Sequence, residues 1–331
     1  MNQPRIGVLF GGMSSETQVS QHSGEAVVAA LRSRGHLVVP IYADRDLDMA
    51  LRQHPIDVAF IALHGRLGED GCVQGLLEVL GIPYTGSDVL ASATAMHKVR
   101  AKELFRLHNL PTPAYYPSTV EDAAAALQRH GEFGYPCVVK PVREGSSLGV
   151  TICESADDFA AAWDAARCFD DEVVVERYIA GMEVSVAIVG DRALGAIEVA
   201  RTGVFDYSAK CGLPHERYFT PPRLTPERYR TVLATALRAH RALGCQGATR
   251  VDLIVTTSGN EYVLEVNTVP GLAPGALLPR IAAAAGIGFA DLCEMMIAGA
   301  GLGAGRRRGE RRILQREFAG LDRRSEACNA H

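Results

Sequence analysis

The sequence predicts an α/β protein that begins with a parallel-sheet domain, and three observations carry that expectation. Short apolar runs alternate with helical patterns through the first hundred residues, the order that builds a parallel sheet. Gly11-Gly12 follows the first apolar run directly, as a strand-to-helix turn does. From about residue 98 the alternation stops, and Pro111 and Pro113 read as an inter-domain turn.

The first strand is Ile6-Gly7-Val8-Leu9-Phe10, and a helical pattern follows from about Thr17 to Arg32. Leu37 to Ile41 and Val58 to Leu63 read as further strands, and Gln74 to Leu80 as a short helix. Binding residues in such sheets lie just past the strands' carboxyl ends, where Glu16 and His64 fall. A helix over Lys98 to Leu107 precedes the proline turn. Cys137 to Pro141 reads as a strand stopped by proline, followed by the small-residue loop Arg143-Glu144-Gly145-Ser146-Ser147-Leu148-Gly149. Ser155 with Asp158 forms a capping-box signature for a helix to about Arg167. Glu172 to Glu176 and Glu183 to Val189 return to strand, and Thr225 to Leu243 is a long helix. Between them, Arg201 to Pro222 has no apolar periodicity and reads as a functional loop.

Composition narrows the function. A chain of 331 residues holds two or three domains, and 47% hydrophobic with 22% charged residues excludes wholesale disorder. A net charge of -4 offers no basic footprint, so nucleic acid is not an expected partner. No apolar run reaches the ~18 residues of a membrane span, and no cleavage-site pattern marks the first residues, so a cytoplasmic location is expected. The eight cysteines contain no Cys-x-x-Cys pair and read as small hydrophobes. Only four of the 34 basic residues are lysines: Lys98, Lys102, Lys140 and Lys210. In a chain that otherwise writes arginine, such lysines are enriched for sites needing a compact ammonium.

The most informative stretch is Thr249 to Val255 followed by Glu261 to Asn267. A two-residue turn at Ser258-Gly259 sets Thr257 opposite Asn260 and, counting back, Asp252 opposite Glu265 and Arg250 opposite Asn267. All four then share one face. Opposed carboxylates repel unless a cation lies between them, and hard oxygen ligands suit Mg²⁺. Arg250 beside them offers bidentate donors to a phosphoryl group. The Gly-Ser loop after Lys140 lets backbone N–H groups approach a phosphate, so the two motifs complement each other.

These motifs resemble the D-alanine–D-alanine ligase family of the ATP-grasp superfamily. The resemblance runs through Gly11-Gly12-Met13-Ser14-Ser15-Glu16, His64-Gly65-Arg66-Leu67-Gly68-Glu69-Asp70-Gly71, Pro83-Tyr84-Thr85-Gly86-Ser87, Lys140-Pro141 with its Gly-Ser loop, and Glu265-Val266-Asn267-Thr268. It implies a three-domain ATP-grasp architecture with a nucleotide cleft between the central and C-terminal domains. The N-terminal α/β substrate domain then spans 1–97, the central subdomain 98–182, and the C-terminal subdomain 183–304 with a lid loop at about 201–222. The basic tail, 305–331, is expected to be disordered.

The same resemblance implies ATP-dependent joining of two D-alanines through an acyl phosphate, for peptidoglycan precursors, with two Mg²⁺ ions (Mn²⁺ as substitute) and a homodimer. Lys98, Lys140, Ser146, Ser147 and Lys210 are then expected at the phosphates, Glu176 and Ile179 at the adenine, and Glu183 at the ribose. Asp252, Glu265 and Asn267 are the expected metal ligands, and Arg250 the group that steadies the transferring phosphoryl. Glu16 is expected to bind the first substrate's ammonium, with His64 beside that substrate's carboxylate, and Gly271 and Leu277 lie on the second-substrate side. Glu16, Ser146, Arg250 and Lys210 form the expected catalytic set. Taken alone, His64 also fits a structural histidine, Glu16 a helix N-terminal acid, and Lys102 a solvated charge one turn from Lys98.

Three positions depart from the family pattern. Cys211 stands where a tyrosine commonly follows the lid lysine, Ala276 where a serine contacts the second substrate's carboxylate, and His97 where an aspartate often precedes the lysine. The first two fall on the acceptor side. They leave open a paralogue that couples D-alanine to a different amine or hydroxy acid.

Overall fold

A computed structural model of the protein describes residues 3–119, 134–201 and 216–303. Lys210, Cys211, most of the expected lid loop and the basic tail lie outside the described residues.

The chain builds three sheets. β1 (Arg5–Gly11) lies between β2 (Leu37–Ala43) and β3 (Val58–Ile61), all parallel. Its continuous buried run is what a parallel strand covered on both faces requires. α1 (Thr17–Ser33) packs on this sheet, followed in sequence by α2 (Leu47–Gln53), α3 (Cys72–Leu80), α4 (Val89–Met96) and α5 (Lys98–Leu107). His97 caps α5.

The second sheet is antiparallel, in the order β4 (Tyr115–Thr119), β7 (Glu172–Arg177), β5 (Cys137–Pro141), β6 (Thr151–Cys153). α6 (Ala156–Arg167) covers it, opened by the expected capping box of Ser155 and Asp158. Phe159, Ala162, Trp163 and Ala166 pack from that helix onto Val139 and Val173.

The third sheet, also antiparallel, runs β10 (Glu216–Phe219), β9 (Arg192–Arg201), β8 (Met182–Val189), β11 (Ala248–Val255), β12 (Glu261–Asn267). α7 (Pro226–Ala242) lies across it, with Thr225 as N-cap and Pro226 in its first turn. Val232, Ala236 and Ala239 from α7 meet Val186, Val251 and Val263. Two final helices, α8 (Leu277–Ala284) and α9 (Phe289–Ala298), return to the first sheet. Leu278, Ile281, Leu292 and Met296 share one core with Val27, Leu31 and Phe60. Among the described residues no single helix is long and apolar enough to cross a membrane.

The expected hairpin forms with a different turn. Thr256 N–H donates to Asn260 O and Gly259 N–H to Thr256 O, each at 2.9 Å, so three residues rather than two make the loop. Gly259 supplies the left-handed φ of +90° that such a loop needs. Near the tip Leu253 pairs with Val263, one residue out of the expected register. A bulge between Asp252 and Leu253 absorbs the difference. Beyond it, Asp252 pairs with Glu265 and Arg250 with Asn267, as the sequence indicates.

Candidate active site

The bulge has a visible consequence on β12. Val263 and Val266 are buried three residues apart, leaving Leu264 and Glu265 to face the same cleft. That cleft lies between the two antiparallel sheets, with Lys98, Lys140, Ser147 and Glu183 around Asp252 and Glu265. A larger cavity of about 280 Å³ opens beside it, lined by Glu16, His64, Ser146, Arg250, Asn267 and Gly271 among others. Asp252 and Glu183 line both spaces. The acidic floor is therefore shared.

Arg250 grips Asp252 with Nε at 2.8 Å from one carboxylate oxygen and a terminal nitrogen at 2.8 Å from the other. Burial disfavours the guanidinium charge, but Asp252 more than offsets it and the pKa of Arg250 rises. Ser185 Oγ donates to Asp252 at 2.6 Å, and Asn267 Nδ2 donates at 3.1 Å. Among the described residues no three His, Cys, Asp or Glu side chains form a metal cage. Two carboxylates and one amide are instead the set Mg²⁺ takes when substrate phosphates complete its shell. A half-turn of the Asn267 amide would present its oxygen there and release one acceptor position on Asp252.

The lysines are organised by one carboxylate. Glu176 is buried, with Lys140 Nζ 2.8 Å from one oxygen and Lys102 Nζ 3.1 Å from the other. Burial works against its charge, but the two lysines prevail and hold its pKa below the usual range. Glu176, expected at the adenine, pairs here with both lysines and holds Lys140 beside the cleft. Lys102, legible in sequence as a solvated charge, is 0% exposed. It also donates to Thr112 Oγ1 at 2.8 Å, and Thr112 donates to Val263 O on β12 at 2.8 Å. Lys98 Nζ donates to Glu144 O and lies 3.7 Å from Glu265.

The Gly-Ser loop divides its serines between the two spaces. Ser147 lines the phosphate-side cleft and Ser146 the larger cavity. Both adopt left-handed φ values, 49° at Ser146 and 59° at Ser147, a strained state for serine that recurs at ligand-binding loops. Ser146 Oγ donates to Glu16 Oε1. The other oxygen, Oε2, is buried with no hydrogen-bond partner among the described residues. It sits so close to Gly65 and Gly145 that a Cβ at either would come within 2.9 Å and 2.8 Å of it. An unpaired buried carboxylate oxygen beside a cavity is a site for a substrate ammonium.

His64 lines this cavity, but its ring is already used. Nδ1 lies 2.9 Å from Val269 O and Nε2 2.9 Å from Ser23 Oγ, which also accepts from Leu272 N–H. It is expected beside the substrate carboxylate; the structure makes it a latch between α1 and the 269–272 segment. Burial lowers its pKa, yet the Glu69 carboxylate 3.8 Å away leaves it raised overall.

Gly271, Ala276 and Leu277 line the far end of the cavity, with Ala276 as the uncapped N-cap of α8. Ile179, expected at the adenine, borders a cavity of about 550 Å³ with Pro111, Tyr115 and Tyr262. Lys102, Glu69, Ser23, Ser185 and Arg280 are the site residues that sequence reasoning missed. Lys102 carries a signal in the scarcity of lysine, and Glu69 in the motif that opens at His64.

Comparison with known proteins agrees with this geometry. A family model described as D-ala D-ala ligase C-terminus matches residues 104–298, and one described as D-ala D-ala ligase N-terminus matches 46–87. The D-alanine--D-alanine ligase of Geotalea uraniireducens is 50% identical over 299 residues, covering 90% of this chain and 96% of that protein. The crystal structure of D-alanine--D-alanine ligase from Bacillus anthracis complexed with ATP is 36% identical with a TM-score of 0.77, covering 89% of this chain and 97% of that one. The VanG D-Ala:D-Ser ligase from Enterococcus faecalis is 30% identical with a TM-score of 0.80, covering 89% and 99%.

Proposed function

Because the chain belongs to the D-alanine–D-alanine ligase family and shares its ATP-grasp fold, we propose that it joins two D-alanines with ATP, supplying the dipeptide for peptidoglycan precursors. One observation carries this reading. Asp252 lies on the wall common to the phosphate-side cleft and the larger cavity, so a phosphoryl group can pass from one to the other without leaving the site.

The three sheets support the division into 1–97, 98–182 and 183–304, with residues 289–298 packing back on α1. Lys98 and Lys140 take the phosphates, the latter steadied by Glu176. Glu16 takes the first D-alanine's ammonium through its unpaired Oε2. This orients the carboxylate towards Arg250, whose charge Asp252 maintains. One carboxylate oxygen forms a bond to the γ-phosphorus as the bond to the ADP oxygen breaks, giving an acyl phosphate. The second D-alanine's amine then attacks the acyl carbon, phosphate leaves with the C–O bond electrons, and the amine's proton passes to solvent. Arg250 stands where the tetrahedral oxyanion develops, a role of electrostatic preorganisation. Asp252, Glu265 and Asn267 would hold two Mg²⁺ ions, whose chemistry is neutralisation of phosphate charge. A homodimer is proposed on family likeness.

Incubation with ATP, Mg²⁺ and D-alanine, with products read by mass spectrometry, tests the reading. D-Alanyl-D-alanine and equimolar ADP are expected. Condensation only with a different amine or a hydroxy acid in an acceptor screen would overturn it.

A further inference from the structure

The acceptor end of the cavity lacks the serine hydroxyl of the family pattern, because residue 276 is alanine. Its methyl group can donate nothing to a carboxylate. One helical turn on, Arg280 N–H donates to Ala276 O at 3.2 Å, so the two residues lie on the same side of α8. Side chains on a helix lean towards its N-terminus, which brings the Arg280 guanidinium back over position 276. The structure shows that return. Arg280 Nε donates to Gly275 O at 2.6 Å, and its guanidinium carbon lies 4.6 Å from the Tyr218 ring centroid. Arg280, Tyr218, Ala276 and Leu277 all line the cavity.

The charges in this cavity are unequal. Arg250 is neutralised by Asp252, whereas no carboxylate lies within ion-pair distance of Arg280 among the described residues. Arg280 is therefore a cation tethered through one N–H and set over an aromatic ring, with its terminal nitrogens available to an incoming anion. A planar guanidinium fork matches a carboxylate better than a serine hydroxyl does.

We propose that Arg280 binds the carboxylate of the accepting D-amino acid, taking over the role that serine at position 276 plays in the family pattern. The inference rests on the ligase function proposed above. It places the acceptor's carboxylate at the N-terminal end of α8, leaving its amine directed towards Arg250 and the acyl phosphate.

Initial rates of ADP release over a range of D-alanine concentrations separate the two D-alanine KM values. Arg280→Ala should raise the second-site KM by about tenfold to hundredfold, the usual loss for a hydrogen bond to a charged group. First-site KM and the KM for ATP should stay at parental values, and Arg280→Lys should show a smaller rise. An unchanged second-site KM in Arg280→Ala, or a joint rise of all three constants, would overturn the proposal. A parent protein that releases no ADP with D-alanine would instead remove the function on which the proposal stands.

Discussion

Lys102 and Glu176 face each other 3.1 Å apart in the protein interior, and Lys140 occupies the second carboxylate oxygen at 2.8 Å. The pair joins three elements, because Lys102 also reaches Thr112 and through it β12. Lys102→Met fills the space but strips Glu176 of one partner. Truncating one side of a buried ion pair costs about 3–5 kcal/mol, and the lower end is expected here because Lys140 remains. Urea unfolding measures the loss, and the KM for ATP should rise as Lys140 loses its fixed position. A variant as stable as the parent would show that the pair is redundant.

Stability should also depend on pH through Lys102. Burial lowers its pKa to about 8 from the ordinary 10.5, although Glu176 pulls the other way. Between those values the unfolded chain still holds a proton that the folded chain has released. Stability from this group therefore climbs with pH from about 8 to 10.5 and is flat below 8. Unfolding curves across that window should show the parent gaining on Lys102→Met. Parallel pH dependence in the two proteins would contradict the assignment.

Glu16→Gln keeps the shape of the side chain and the contact with Ser146 while removing the negative charge from the unpaired oxygen. The first-site KM for D-alanine should rise by about tenfold to hundredfold, with the KM for ATP unchanged. Initial-rate kinetics distinguish this from a folding defect, which would lower the maximal rate and leave both constants in place.

Ala276→Ser tests the N-terminal end of α8 independently. Serine is a favourable N-cap and alanine a poor one, a difference of about 0.5–2 kcal/mol. Pro279 at the third helical position offers no N–H, so only Leu278 can donate and a gain near the lower limit is expected in thermal unfolding. No gain would mean that the serine hydroxyl turns to the cavity instead.

Features set by neighbouring residues are legible in the sequence, and those set by distant residues are not. The capping box at Ser155 and Asp158 and the pairing of Asp252 with Glu265 are set by neighbours in sequence. The hairpin shows the limit. Its turn is one residue longer than the dipeptide Ser258-Gly259 suggests, and the bulge at Asp252 restores the pairing by a route the residue pattern does not show. Lys102 looks like an ordinary surface lysine along α5 because its burial depends on β7 and β12, far away in the chain. His64 lines the cavity, and the capture of both its ring nitrogens by Val269 and Ser23 involves residues on separate elements.

Phosphate release by Asp252→Ala and Glu265→Ala, set beside the parent with ATP, D-alanine and Mg²⁺, tests most directly whether this shared acidic floor is where the phosphoryl group is transferred. The parent should release phosphate only when both D-alanine and the metal are present, and each variant should lose about a hundredfold or more of that rate. Undiminished release in both variants would contradict it.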